Sequence, residues 1–141
     1  MVYVPDSYDQ NNREYPVVYL LHGLNGSESD WTEKKGDAHL TVERMAAEGK
    51  LPECIVVMPS DGGYGHGTFY MDWYDGTGNF EQYIICDLIP FIDSTYRTIA
   101  SREGRAVCGL SMGGYGAVML ALKKIRRFSE APPVCRVPWL P

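Results

Sequence analysis

One stretch, residues 105–116, constrains the fold more than any other part of the sequence. It begins as a β-rich run, passes through Gly109-Leu110-Ser111-Met112-Gly113 and continues as an amphipathic helical pattern. In this G-x-S-x-G spacing a serine stands at a sharp strand-to-helix turn. The residues two before and two after the serine then come into near contact, so any side chain there would clash. We therefore predict a strand, a strained turn at Ser111 and a helix.

Such a turn, called a nucleophile elbow, has a chemical consequence. It pushes the Ser111 hydroxyl out above the edge of the sheet and places it at a helix N-terminus, where free amides favour developing negative charge. The alternative is a glycine-rich structural turn that merely contains a serine. The strand-like and helical patterns on the two sides favour the elbow, so Ser111 is the candidate nucleophile.

The rest of the chain alternates between strand and helix patterns. Strands are predicted at 16–21, 54–59 and 105–110, and helices at 37–48, at 79–95 and after Ser111. This rhythm predicts an α/β fold with a mostly parallel sheet and helices on both faces. The glycine-rich turn 22–27 follows the first buried strand at the sheet edge where ligands bind in such folds.

Finer features are also predicted. Residues 6–14 are typical of a hairpin connection, and Asn79 of a helix N-cap with Gln82 completing a capping box. Pro90 predicts a kink or an early break in that helix. In the helix after Ser111, spacing assigns the buried face to Met112, Tyr115, Met119 and Leu122. The glycines of that helix, Gly113, Gly114 and Gly116, are expected to let it lie close to the sheet.

Composition excludes several classes of function. The 141 residues carry a net charge of −5 without a basic stripe, which argues against a nucleic-acid partner. No apolar run is long enough to span a membrane, and the four scattered cysteines argue against a metal or redox site. Three of them sit in apolar runs, which predict reduced, buried thiols. Residues 1–6 lack the pattern of a signal peptide, and the compartment, cytoplasmic or secreted, is left open.

Several segments, in their order along the chain, resemble one protein family. They are 15–23, 69–74, 87–93, 96–98 and 109–117. With these segments the chain resembles the esterase branch of the α/β-hydrolases, which includes S-formylglutathione hydrolase (esterase D), feruloyl and acetyl-xylan esterases and antigen 85 mycolyltransferases. The resemblance implies a serine carboxylic-ester hydrolase that forms an acyl-enzyme on Ser111, needs no cofactor and acts on a small ester. It also implies an oxyanion hole made by the backbone amides of Leu24 and Met112.

The chain departs from this family after the serine. α/β-Hydrolases place their acid and histidine after the nucleophile, whereas this sequence has only Glu130 and no histidine beyond Ser111. We therefore expect residues 1–125 to form a partial domain that lacks the C-terminal strands. Residues 126–141 are expected to be an atypical proline-rich tail with one short strand at 134–137. We expect this chain alone to be a feeble or inactive esterase, and its unpaired sheet edge to favour self-association.

Other side chains are weaker candidates. His22, His66 and Trp73 are predicted to line the substrate site, while His39 is expected to be exposed. His22 is also expected to hold the oxyanion turn, and His66 is either a simple loop residue or a substitute base. The aromatic run 69–74 is equally consistent with an acyl pocket and with core packing, and Asp61, Asp72 and Asp75 with turns and caps. Two functional alternatives remain open: an acyltransferase of the same fold, and a non-catalytic binding module derived from an esterase.

Overall fold

The computed structural model describes residues 1–34, 36–63 and 66–126. The strand predicted at 134–137, and all but the first residue of the predicted tail, lie outside these ranges. The strands are β1 (Val2–Tyr3), β2 (Val17–Leu21), β3 (Ile55–Val57) and β4 (Arg105–Gly109). The helices are α1 (Ala38–Ala47), α2 (Phe80–Gln82), α3 (Ile89–Thr95) and α4 (Met112–Arg126), with a short 3₁₀ turn at Tyr8–Gln10 and π-helical segments at Asp30–Lys34 and Tyr83–Leu88.

The four strands form one sheet in the order β1-β3-β2-β4. β2 runs parallel to both β3 and β4, and only β1 is antiparallel. The mostly parallel sheet predicted from sequence is therefore confirmed. Residues 6–14 are not a hairpin connection, because β1 pairs with β3 rather than with β2.

The two faces of the sheet bury different side chains. On one face Val17, Tyr19 and Leu21 of β2 pack with the helical segments that follow residue 80 and with α4. On the other face Val18 and Leu20 pack against a buried cluster of Cys54, Val56 and Met58, which Trp31 and Val42 of α1 also contact. Because successive side chains of a strand point to opposite faces, a strand buried on both must be continuously apolar, as β2 is. The helices thus cover both faces, as predicted.

The helical region from residue 80 to 95 begins differently from its prediction. The Asn79 side chain makes no capping bond. Instead Asp72 Oδ1 accepts the backbone N–H groups of Glu81 at 3.0 Å and Gln82 at 3.1 Å, so the cap comes from the preceding loop. Pro90 lies in the first turn of α3, immediately after the π-helical segment, so the helix changes type next to the position where the sequence predicted a kink or an early break.

The buried face of α4 also differs from its prediction. Met112 is buried as expected, but Tyr115 and Leu122 are 45% exposed, and the face that meets the core carries Gly113, Gly116, Ala117 and Leu120. Small residues face the sheet because the helix lies too close to it for large ones. A Cβ on Gly113, for example, would lie 2.6 Å from the backbone oxygen of His22.

The cysteines and His39 are also corrected. Cys54 is a buried free thiol, but Cys86 and Cys108 are exposed, while His39 is half-buried beside Tyr3. The fourth cysteine, Cys135, lies outside the described residues. In the part of the chain that the structure describes, no helix is long and apolar enough to cross a membrane.

Candidate active site

Ser111 occupies the point of a strained turn between β4 and α4. Its φ is 54°, in the left-handed region that non-glycine residues rarely adopt, and the residue is exposed. Such strain persists only where the surroundings enforce it, and it is common at functional sites. Its hydroxyl makes no hydrogen bond to any described residue.

Two glycines make this turn possible. A Cβ on Gly109 would lie 2.6 Å from the carbonyl carbon of Gly113 and equally close to the oxygen of Leu21. These contacts are far inside van der Waals distance, and they are with backbone atoms that have no rotamer to change. The two glycines of the G-x-S-x-G motif are thus required by the close approach of β2, β4 and α4.

The turn after β2 lies directly beside Ser111. Leu110 donates its N–H to the oxygen of Leu21 at 3.2 Å, which extends the pairing of β2 and β4 up to the turn. A Cβ on Gly23 would lie 3.7 Å from the Cβ of Ser111. Gly23 therefore faces the serine, with Leu24 as the next residue.

Two backbone amides beside Ser111 are free to bind a ligand. Among the described residues, neither the Leu24 nor the Met112 N–H donates a hydrogen bond. Met112 is the first residue of α4, where helix N–H groups lack intrahelical partners. Both amides follow the ends of paired strands, β2 and β4, that terminate at the same sheet edge.

His22 is locked behind this turn. Its side chain is 1% exposed, with Nδ1 2.9 Å from the Gly23 oxygen and Nε2 3.5 Å from Oδ1 of Asp61. The Tyr70 ring packs edge-on against the imidazole at a centroid distance of 5.9 Å. A ring buried in this way does not line an open substrate surface, in contrast to the expectation from sequence.

The loop between β3 and α2, called the covering loop below, lies over the turn that follows β2. Gly67, at a φ of 73°, lies against the side chains of Leu24 and Met112, where a Cβ would collide with both. Phe69 and Tyr70 also have positive φ values, of 52° and 55°. The loop is therefore held in a strained path that brings it onto the candidate oxyanion residues.

The other predicted site residues are spread along this loop. His66 is exposed and directly precedes Gly67, whereas Trp73 is half-buried with its ring against Phe80 at 5.4 Å. The aromatic run divides in the same way. Tyr70 is in the core, Tyr74 is fully exposed, and Phe69, 41% exposed, meets Tyr115 of α4 edge-on at 5.8 Å.

Asp61 is a buried group whose role the sequence analysis missed. It is 6% exposed and was expected only to make a turn, which it does by accepting the Gly63 N–H at 3.1 Å. Its other oxygen accepts the Thr68 hydroxyl at 3.2 Å. Burial raises the pKa of Tyr70, and the nearby Asp61 carboxylate raises it further. The pairing with His22 joins residues far apart in sequence, so no local pattern could have indicated it.

The structure also bears on where ligands could sit. No group of three or more His, Cys, Asp or Glu side chains within the described ranges could hold a metal ion. A cavity of about 400 Å³ lies on the far side of Asp61, lined by Asn79, Phe80 and Tyr83 among others, and another of about 340 Å³ opens at the opposite sheet edge, near Arg105. Neither is lined by Ser111, Leu24 or Met112.

Comparison with known proteins decides the family. A family model described as "Putative esterase" matches residues 1–140. The chain belongs to this esterase family. The resemblance and the fold class predicted from sequence are thereby confirmed.

Curated relatives carry esterase names. An esterase of Mycobacterium tuberculosis is 38% identical over 130 residues, which are 92% of this chain and 27% of that protein. An endo-1,4-beta-xylanase/feruloyl esterase of Xylanibacter ruminicola is 35% identical over 136 residues, covering 90% of this chain and 18% of the relative. The chain therefore spans 27% and 18% of the lengths of these two relatives.

Solved structures agree with this assignment. A ferulic acid esterase superposes with a TM-score of 0.76 at 36% identity, over 91% of this chain and 48% of that one. An S-formylglutathione hydrolase from Agrobacterium tumefaciens gives a TM-score of 0.65 at 28% identity, over 86% of this chain and 46% of the other. The chain thus corresponds to about half of an α/β-hydrolase esterase domain.

Proposed function

We propose that this chain supplies the nucleophile and the anion-stabilising amides of a serine carboxylic-ester hydrolase, with a small ester as substrate. The observation that carries the proposal is the strained, exposed turn at Ser111 beside Gly23. Membership of the esterase family supports the same chemistry. No cofactor enters the proposed reaction.

In the proposed reaction the Ser111 oxygen attacks the ester carbonyl carbon while its proton passes to a base. The carbonyl oxygen becomes negative and is stabilised by the N–H groups of Leu24 and Met112. Each such donor contributes about 3 kcal/mol of transition-state stabilisation. The tetrahedral intermediate then expels the alcohol, and water attacks the acyl-enzyme and releases the acid.

The base that accepts the Ser111 proton must come from one of the three histidines of this chain or from a second chain. His22 is buried and bonded, and His39 lies in α1 beside Tyr3. His66 is exposed in the loop whose next residue contacts Leu24 and Met112. We propose that His66, or a histidine from a second chain, accepts the proton, and that this chain alone hydrolyses esters slowly, because losing a triad member costs several orders of magnitude in rate.

Covalent labelling by a fluorophosphonate probe tests the nucleophile. We expect the wild type to be labelled and Ser111→Ala to remain unlabelled, while Ser94→Ala, an exposed serine in α3, labels at the wild-type rate. His66→Ala should slow labelling at least tenfold if His66 is the base. A folded wild type that takes up no probe would instead support the second candidate, a non-catalytic binding module, which the lack of a hydrogen bond between the Ser111 hydroxyl and any described residue favours.

We further propose that the acyl group lies against Phe69 and Tyr115. The two rings meet edge-on and remain partly exposed, one on the covering loop and one on the first turns of α4, the helix that begins directly after Ser111. Phe69→Ala should reduce labelling by aryl probes more than by short alkyl probes. Adding a sugar or methanol during turnover of a nitrophenyl ester separates a hydrolase from an acyltransferase, because only the latter yields mainly the new ester.

Self-association is proposed through β4 and α4. β4 is the last strand of the described sheet, and the neighbouring helix exposes Tyr115, Val118 and Leu122 at helical spacing. An unpaired strand edge beside apolar side chains favours pairing with another chain, for which we propose a second copy. Sedimentation should find dimers that Val118→Asp dissociates. A strictly monomeric wild type at high concentration would exclude this proposal.

A further inference from the structure

The peptide group between Gly23 and Leu24 is held by two hydrogen bonds. Its carbonyl oxygen accepts the Gly26 N–H at 3.0 Å and lies 2.9 Å from Nδ1 of His22. The N–H of the same planar trans peptide belongs to Leu24 and points the opposite way. Both bonds therefore fix the direction of the Leu24 N–H, and bonds in such a chain also polarise one another.

The His22 bond requires a particular proton. A carbonyl oxygen only accepts hydrogen bonds, so Nδ1 must carry a hydrogen and donate it. The opposite nitrogen, Nε2, makes no hydrogen bond to a described residue and faces the Asp61 carboxylate at 3.5 Å.

Asp61 is itself held in place from two sides. Thr68 donates its hydroxyl to Oδ2, and the Gly63 N–H donates to Oδ1. A turn-making aspartate has no need to be buried, and burying a carboxylate is costly unless it is paired. The carboxylate lies beside the imidazole because the loop carries it there. Asp30 is a second carboxylate at this turn, since its Oδ2 and Nδ1 of His22 would both contact a Cβ on Gly26.

We propose that Asp61 is a positioning residue for the Leu24 amide, acting through the His22 imidazole and the Gly23 carbonyl oxygen. The inference rests on the proposed function for what the Leu24 amide does, but not for how it is held. Asp61 touches no substrate atom in this scheme. Its effect is to hold the imidazole, and through it the Gly23–Leu24 peptide plane, in one orientation.

Nuclear magnetic resonance of the whole chain tests directly whether Asp61 orients the Leu24 amide through His22. In the wild type we expect the Nδ1 of His22 to be protonated. Asp61→Leu, which removes the charge at similar size, should shift the backbone N–H resonance of Leu24. Asp61→Asn should leave that resonance close to its wild-type position, because its side-chain amide can donate a hydrogen bond to Nε2. Asp75→Asn, in an exposed turn of similar geometry, should leave it unchanged.

Labelling of Ser111 tests the consequence. Removing one oxyanion donor slows such reactions about a hundredfold to a thousandfold, so misdirecting one in Asp61→Leu should slow fluorophosphonate labelling by about tenfold or more. Asp61→Asn should restore the rate to within a few-fold of the wild type. Thr68→Val, which frees one oxygen of Asp61, gives a milder second variant should Asp61→Leu fail to fold, with changes of the same sign.

The two proposals fail in different ways. A wild-type His22 without hydrogen on Nδ1, or a folded Asp61→Leu with unchanged Leu24 resonances, overturns the positioning role. A normal labelling rate in Asp61→Leu overturns it as well. If the wild type itself is never labelled, the proposed function fails, and the resonance of the Leu24 amide alone then decides the role of Asp61.

Discussion

Tyr70 donates its hydroxyl hydrogen to the backbone oxygen of His22 at 3.3 Å, across 48 positions of sequence. The same ring lies against α4, where a Cβ on Gly116 would come within 2.7 Å of its Cδ2 atom. One side chain thus joins the covering loop to both elements that flank Ser111. The positive φ of Tyr70 is the strain that this position requires.

Removal of the Tyr70 hydroxyl should therefore weaken the attachment of the covering loop to His22 without creating a cavity in the core. In Tyr70→Phe we expect the free energy of unfolding to fall by about 1 kcal/mol, the usual net value of one hydrogen bond. Urea unfolding measures this loss. Tyr74→Phe is the matched control, because Tyr74 is fully exposed and should change stability very little. Equal losses in the two variants would contradict the anchoring role of Tyr70.

Gly113 of the elbow and its neighbour Gly114 allow a matched comparison. A Cβ on Gly113 would meet backbone atoms of Leu21 and His22, whereas one on Gly114 would come no nearer than 3.2 Å to the Gly109 oxygen. Gly113→Ala should lower the free energy of unfolding by about 3 kcal/mol, because overpacking against backbone cannot relax. In Gly114→Ala the loss should stay below about 1 kcal/mol, since alanine favours a helix. Thermal and urea unfolding measure both losses. A loss in Gly113→Ala that is no larger than the loss in Gly114→Ala would refute the close-approach argument.

Sequence alone could predict the elements whose causes are local. The apolar run of β2 and the spacing around Ser111 each place their determining residues within a few positions of one another. Periodicity and glycine spacing therefore predict the parallel sheet, the turn and the helix after it. The resemblance to esterases added the turn at His22-Gly23, which the structure places beside the serine.

Errors arose where the cause lies far away in sequence. Helical periodicity gave α4 a buried stripe of large side chains, but the sheet approaches the helix so closely that the glycines face it instead. The capping box at Asn79 was predicted from its own neighbours, while the cap comes from Asp72. The pairing of His22 with Asp61 likewise depends on the path of a long loop that no local pattern determines.

The cap on α2 supplies a further prediction. Asp72 accepts two backbone N–H groups and also the side-chain amide of Gln82 at 3.2 Å. Asp72→Ala should lower the free energy of unfolding by about 1 kcal/mol, as loss of a helix cap typically does. Asp75 lies three residues further along the same loop and is exposed. Asp75→Ala should therefore lower the free energy of unfolding by roughly half a kcal/mol or less. Circular dichroism during urea unfolding would report both values, and an unchanged Asp72→Ala would exclude the capping role.

Alkaline pH should destabilise the fold through groups that are buried in their neutral forms. Burial raises the pKa of the Cys54 thiol from 9.0 to about 11, and it raises the pKa of Tyr70 and of Tyr83 as well. Because these groups ionise more readily when unfolded, their contribution to stability is complete below the unfolded pKa. That contribution is then lost as the pH rises from about 9 through the pKa of the folded state.

The urea midpoint should consequently be lower at pH 10.5 than at pH 8. Replacing the thiol in Cys54→Val removes one of the titrating groups, so the fall in midpoint between the two pH values should be smaller in that variant than in the wild type. Cys86→Ser is the control, because Cys86 is exposed and its replacement should leave the fall unchanged. A wild-type midpoint that stayed constant or rose with pH would show that burial does not hold these groups neutral.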